Sequence, residues 1–171
     1  MLSRKTFIRS SIIASTGLLF SSFKIKTDEA RKQLTAELVK EFVGVAHRDK
    51  NRVVELLTLN PTLLNAAWDW GGGDFETALG AASHVGAIET VNYLLDNGAQ
   101  MNFLTLCVLG KLDLVKAWHA DYPFLINMKG PHGFTPLHHA IQGGDTALAV
   151  KEYLESKGAV ESKVILSFPA E

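Results

Sequence analysis

The residues best suited to chemistry lie in one short stretch, Trp68-Asp69-Trp70-Gly71-Gly72-Gly73-Asp74-Phe75-Glu76. Two tryptophans and a phenylalanine on one loop make a rigid apolar platform with hydrogen-bonding edges, built of residue types that concentrate binding energy. Asp69, Asp74 and Glu76 would surround it with negative charge, and the three glycines permit a tight turn or a close backbone approach. His84 follows shortly after, and His132 lies in a second glycine-bounded turn, Gly130-Pro131-His132-Gly133. Brought together, Asp74, His84 and His132 would form a metal or acid–base cluster, although nothing in their spacing fixes that geometry. The opposite reading has Trp68 and Trp70 folded down over their neighbours and the acids left solvated. Both readings stand on the sequence, with Trp68, Asp69, Trp70, Asp74, Glu76, His84 and His132 as the candidate binding surface.

Other chemistry is thinner. His47 occupies a place before Asp49 comparable to that of His84 before Gly86. No two histidines show the His-x-x-x-His spacing with a glutamate that marks a metalloprotease. Gly71-Gly72-Gly73-Asp74 lacks the preceding strand and the following lysine–serine pair of a phosphate-binding loop. No alternation of strands and helices suggests a nucleotide-binding sheet. Cys107, the single cysteine, sits among Leu106, Val108 and Leu109 and reads as a buried small hydrophobe. His139 follows His138 on the same helix and is expected to point elsewhere, toward solvent. No catalytic residue, metal ligand or cofactor is assigned.

The elements that must position these groups are helical. The chain has 171 residues, 47% hydrophobic and 20% charged, enough for one domain or several small stacked repeats. Its net charge of −1 is uneven: three of the 17 basic side chains, Arg4, Lys5 and Arg9, fall within residues 1–23, where there is no acid. The remainder is about −4 and offers no basic field for nucleic acid.

Residues 1–23 run basic, then apolar, then polar, in the order of a secretory signal; the apolar part is short and serine-rich for a membrane span. Ser3-Arg4-Lys5-Thr6-Phe7-Ile8 resembles the bacterial twin-arginine export signal, with lysine for the second arginine. The expected location is exported and periplasmic; the alternative is a retained anchor facing the periplasm. Residues 24–40 are charged and helix-tolerant. Asp28 is placed to cap a helix, and Leu34, Leu38 and Phe42 mark one face, as expected of a cap over the first unit.

Residues 41–160 divide into four helix–turn–helix units. The clearest begins Gly133-Phe134-Thr135-Pro136-Leu137-His138-His139-Ala140 and turns at Gly144, nine residues after Thr135. The second has the same interval from Thr77 to Gly86, then an apolar stripe at Ile88, Val91, Leu94 and Leu95, and it ends at Asn97-Gly98. A first unit turns at Asp49 and a third at Gly110, with Asn60-Pro61 and Tyr122-Pro123 as their stops. The second helix of the fourth unit reads about two residues longer than that of the second unit. Residues 161–171 form a cap or tail, with Val164-Ile165-Leu166 expected to fold back on the last unit.

The Thr-Pro-Leu-His motif with Gly144 and Gly158-Ala159 resembles the ankyrin repeat, whose period is about 33 residues. The likeness implies an all-α solenoid of about four units, degenerate at the ends and in the third. It also implies that Thr135 and His138 hold the turn and tie neighbouring units together, with Thr77 doing so in part; Gly86, Pro136, Leu137 and Gly144 complete the structural set. Two departures in length stand out. Asn102 runs straight into Phe103, so the hairpin finger before the third unit is missing, while the finger before the second unit is enlarged. The enlarged loop, with Phe75-Glu76-Thr77-Ala78-Leu79-Gly80-Ala81-Ala82-Ser83-His84, is similar to a group of small bacterial ankyrin-repeat proteins, a likeness that brings no biochemical activity with it. The expected function is a non-enzymatic protein-binding or scaffold module of the bacterial envelope, working through the enlarged aromatic finger 66–76 and the concave repeat surface. Its partner would be another protein, with membrane contact only if the amino-terminal segment is retained. The alternative is a small-molecule or metal-binding protein, with hydrolysis among its options, centred on Asp74, His84 and His132.

Overall fold

The computed structural model describes residues 33–166, so residues 1–23, read above as an export signal, Asp28 and the end of the tail lie outside it. Within it the chain is mostly helical, with one small two-stranded sheet. The helices are α1 (Ala36–Val45), α2 (Lys50–Leu59), α3 (Ala78–His84), α4 (Ile88–Asp96), α5 (Phe103–Val108), α6 (Leu112–Asp121), α7 (Pro136–Gln142) and α8 (Leu148–Ser156). Antiparallel strands β1 (Ala67–Asp69) and β2 (Phe75–Thr77) precede α3, with Trp68 opposite Glu76. No described helix is long and apolar enough to cross a membrane.

A short polar side chain starts each odd-numbered helix. Thr35, Thr77, Asn102 and Thr135 accept hydrogen bonds from Leu38 N, Gly80 N, Thr105 N and His138 N, satisfying amides that a helix start leaves open. Thr35 opens a helix that runs continuously through residue 40, so the capping segment and the first unit share α1. Helices α1, α3, α5 and α7 pack in series, and each is joined to the even-numbered helix that follows it. The core has two clusters, one around Phe42, Leu79 and Leu94, the other around Phe103, Leu137 and Leu154. Cys107 is fully buried in the second, and burial raises its thiol pKa.

Two details differ from the sequence reading. Helix α8 has 9 residues, as many as α4; the additional residues before it form a 3-10 turn over Gly144–Ala147. The tail folds back through its backbone: Thr135 N donates to Ser162 O and Val164 N to Gly133 O, while Ile165 stays 90% exposed.

Candidate metal centre

The turn between β1 and β2 is built by Gly71, Gly72 and Gly73, all at positive φ, which glycine adopts without a Cβ penalty. Asp69 Oδ1 fastens that turn by accepting from Gly71 N at 2.8 Å and Gly73 N at 3.1 Å. The alternation of β2 then aims Phe75 outward, 62% exposed, and Glu76 inward, 1% exposed. Glu76 therefore neither rims an aromatic platform with charge nor stands solvated. Its carboxylate lies beneath the finger and faces three imidazoles.

Those imidazoles come from three separate segments. His84 closes α3, His47 follows α1, and His132 stands in the 3-10 turn Pro131–Gly133 that precedes α7. His84 Nδ1 lies 2.9 Å from Glu76 Oε1; His132 Nε2 and His47 Nε2 lie 3.4 and 3.5 Å from Glu76 Oε2. One ligand atom from each of the four residues falls within 4.8 Å of every other. Four ligands at 2.0–2.1 Å around a tetrahedral ion stand roughly 3.3 Å apart, so small side-chain adjustments would seat one.

Each outer ligand is oriented from behind. His47 Nδ1–H donates to Gly44 O at 3.1 Å, which in a neutral ring leaves the Nε2 lone pair turned toward Glu76. His132 Nδ1–H donates to Asp74 Oδ2 at 2.7 Å, and its backbone N–H donates to Asp74 Oδ1 at 2.9 Å. That carboxylate–histidine arrangement also leaves Nε2 free to ligate. Trp70 Nε1–H donates to Glu76 Oε2 at 2.8 Å. His132 carries strain: its φ of 57° is the left-handed conformation, unique to it among the described non-glycine residues, and the two bonds from Asp74 hold it there.

Glu76 Oε1 and His84 Nδ1 are the anomaly. Both are buried and face each other at 2.9 Å, close enough to attract but off the alignment of a good hydrogen bond, and neither has another partner. A buried contact with such poor alignment leaves both atoms under-satisfied, which costs stability unless something else completes them. Burial is the largest influence on the Glu76 carboxyl and raises its pKa. His84, Trp70 and His47 together outweigh it, so Glu76 is held below its ordinary value, in the ionised form a metal requires. Three imidazoles beside one carboxylate form a nitrogen-rich set suited to zinc, nickel or copper rather than calcium or magnesium.

The two tryptophans have different surroundings. Trp70 is 39% exposed beside the cluster, whereas Trp68 is half-buried against the first core with Lys40 Nζ 5.5 Å above its ring. Asp74, His84 and His132 do come together, with Glu76 at the centre rather than Asp74. His47 is the residue that sequence reasoning left out. Its signal was present: His47 follows α1 and His84 ends α3, each two residues before a turn, and α1 packs against α3. Their ring centroids are 4.8 Å apart.

Two further histidines, His138 and His139, are structural. His138 Nε2–H donates to His84 O at 2.8 Å, tying α7 to the end of α3. His139 is 1% exposed rather than solvent-facing, because its Nδ1–H turns back to Thr135 O at 2.8 Å and draws the ring inward. No family model matches the chain, and no curated protein matches it.

Proposed function

We propose that the chain is a metal-binding repeat protein, an ankyrin-like array in which His47, Glu76, His84 and His132 hold one divalent transition-metal ion of the zinc type. The observation that carries this reading is the convergence of four ligand atoms within 4.8 Å around the buried, poorly aligned pair Glu76 Oε1 and His84 Nδ1, with the other two histidines already oriented from behind. An ion at the common focus would satisfy both atoms at once. The ankyrin-like solenoid is supported by the serial packing of the odd helices, by their polar caps, and by positive-φ turn glycines at Gly86, Gly110 and Gly144. The missing third finger has a use in this reading. With α5 starting directly after its cap Asn102, no finger stands between the enlarged one and the turn of the fourth unit, and His132 meets Asp74. Export to the periplasm is part of the same proposal and rests on the order of residues 1–23. The test is uptake of zinc, nickel and cobalt by untagged protein, measured as bound metal per chain, against the Glu76→Gln and His84→Ala variants.

A second reading keeps the finger as a protein-binding element of the bacterial envelope, favoured by the exposure of Phe75 at 62% at its tip. Crosslinking in native cells should then capture one defined partner that a correctly folded Phe75→Ala variant loses; equal capture by both would remove the finger from that role.

A further inference from the structure

Two of the four ligands reach the surface. The side chains of His47 and His132 are 23% and 28% exposed, and with Gly44 and Trp70 they wall an open depression of about 490 Å³. The remaining lining residue is Arg48, an exposed side chain with no hydrogen-bond or ion-pair partner among the described residues. No carboxylate lines the depression. Asp74 is turned to His132 and Glu76 lies beneath, its side chain 0% exposed, so neither presents negative charge on that side.

We infer that the metal keeps a coordination position open toward this depression and takes a small oxyanion there, a carboxylate or a phosphate, with Arg48 as the second anchor. This rests on the metal reading above. A zinc-type ion can expand its coordination to five, and His47 and His132, the two of the four residues that reach the surface, both line this depression. The charge balance runs the same way. A divalent ion with a single carboxylate ligand and neutral imidazoles stays positive, and the Arg48 guanidinium adds a planar fork of donors matched to two oxygens of one anion. Trp70 has its indole N–H committed to Glu76, so it offers the ligand a ring surface rather than a donor. The site therefore selects by charge and by the two-oxygen geometry of the ligand.

The experiment uses the full chain loaded with cobalt(II), whose visible bands report its coordination. Inorganic phosphate and acetate are titrated separately, and the readout is a shift in the bands rather than their loss. A saturable shift is expected with at least one of the two; whichever gives it identifies the class. Arg48→Gln should take up cobalt as the parent does and bind that anion about tenfold more weakly, as expected for loss of a charge-assisted contact. Cobalt uptake with no anion response overturns the inference alone, as does equal anion affinity in Arg48→Gln. Failure to take up cobalt overturns the metal reading and this inference with it.

Discussion

His132 Nδ1 lies 2.7 Å from Asp74 Oδ2, a hydrogen bond between residues 58 apart in sequence. It joins the two glycine-bounded turns and aims the other ring nitrogen at Glu76. Asp74 thus acts through His132 rather than touching the metal focus itself. Replacing such a supporting carboxylate typically weakens metal binding by 10–100-fold. Asp74→Asn is expected to keep one site per chain while losing affinity in that range, read by titration calorimetry. Unchanged affinity would show that Asp74 holds the turn without tuning the ligand.

The two tryptophans should separate cleanly in denaturant. Trp68 covers the first core, so Trp68→Ala is expected to lower stability by about 2 kcal/mol, less than the ~3–5 kcal/mol of a fully buried aromatic. Trp70→Phe preserves a ring and removes only the hydrogen bond to Glu76. Its cost to the metal-free protein should be about 1 kcal/mol, with a larger effect on metal affinity than on folding. Urea unfolding of both variants checks the pair, and equal losses would contradict this division of roles.

Acid should destabilise the chain through His139. Burial lowers its pKa from 6.5 to about 4, only partly opposed by the bond to Thr135 O. Between those two values the unfolded chain binds a proton that the native ring refuses, so stability rises with pH across that window and is lost as pH falls through it. The full effect is on the order of 3 kcal/mol, levelling off below the folded value. His139→Gln should flatten that part of the stability profile in thermal or urea unfolding. A profile unchanged by the substitution would place the acid sensitivity elsewhere.

Much of the scaffold was legible because its signals are local. Thr135-Pro136-Leu137 is a cap, a fixed φ and a core residue in three consecutive positions, each read from its neighbours, and His138 beside them bonds back to His84 O at the end of α3. The site was legible only in pieces. Glu76 looked like a rim acid because composition treats carboxylates as solvated, and its burial follows from the strand alternation after the glycine turn, one residue on from the exposed Phe75. His139 shows the same limit: adjacency on a helix predicts a different direction but not that Thr135 O awaits the ring. His47 and His84 needed the repeat register to be applied across units, which the degenerate first unit obscures.

Metal content tests the central claim most directly. Untagged chain equilibrated with zinc and passed through a desalting column should retain about one ion per chain, as expected of four protein ligands converging on one ion. It should melt at a higher temperature than chelated protein, since a ligand bound only by the native state stabilises it. Glu76→Gln and His84→Ala should lose both the ion and the shift. Zinc, nickel and cobalt all washing away, with the melting temperature unmoved by chelator, would contradict the metal centre and leave the His47, Glu76, His84 and His132 cluster as a structural network.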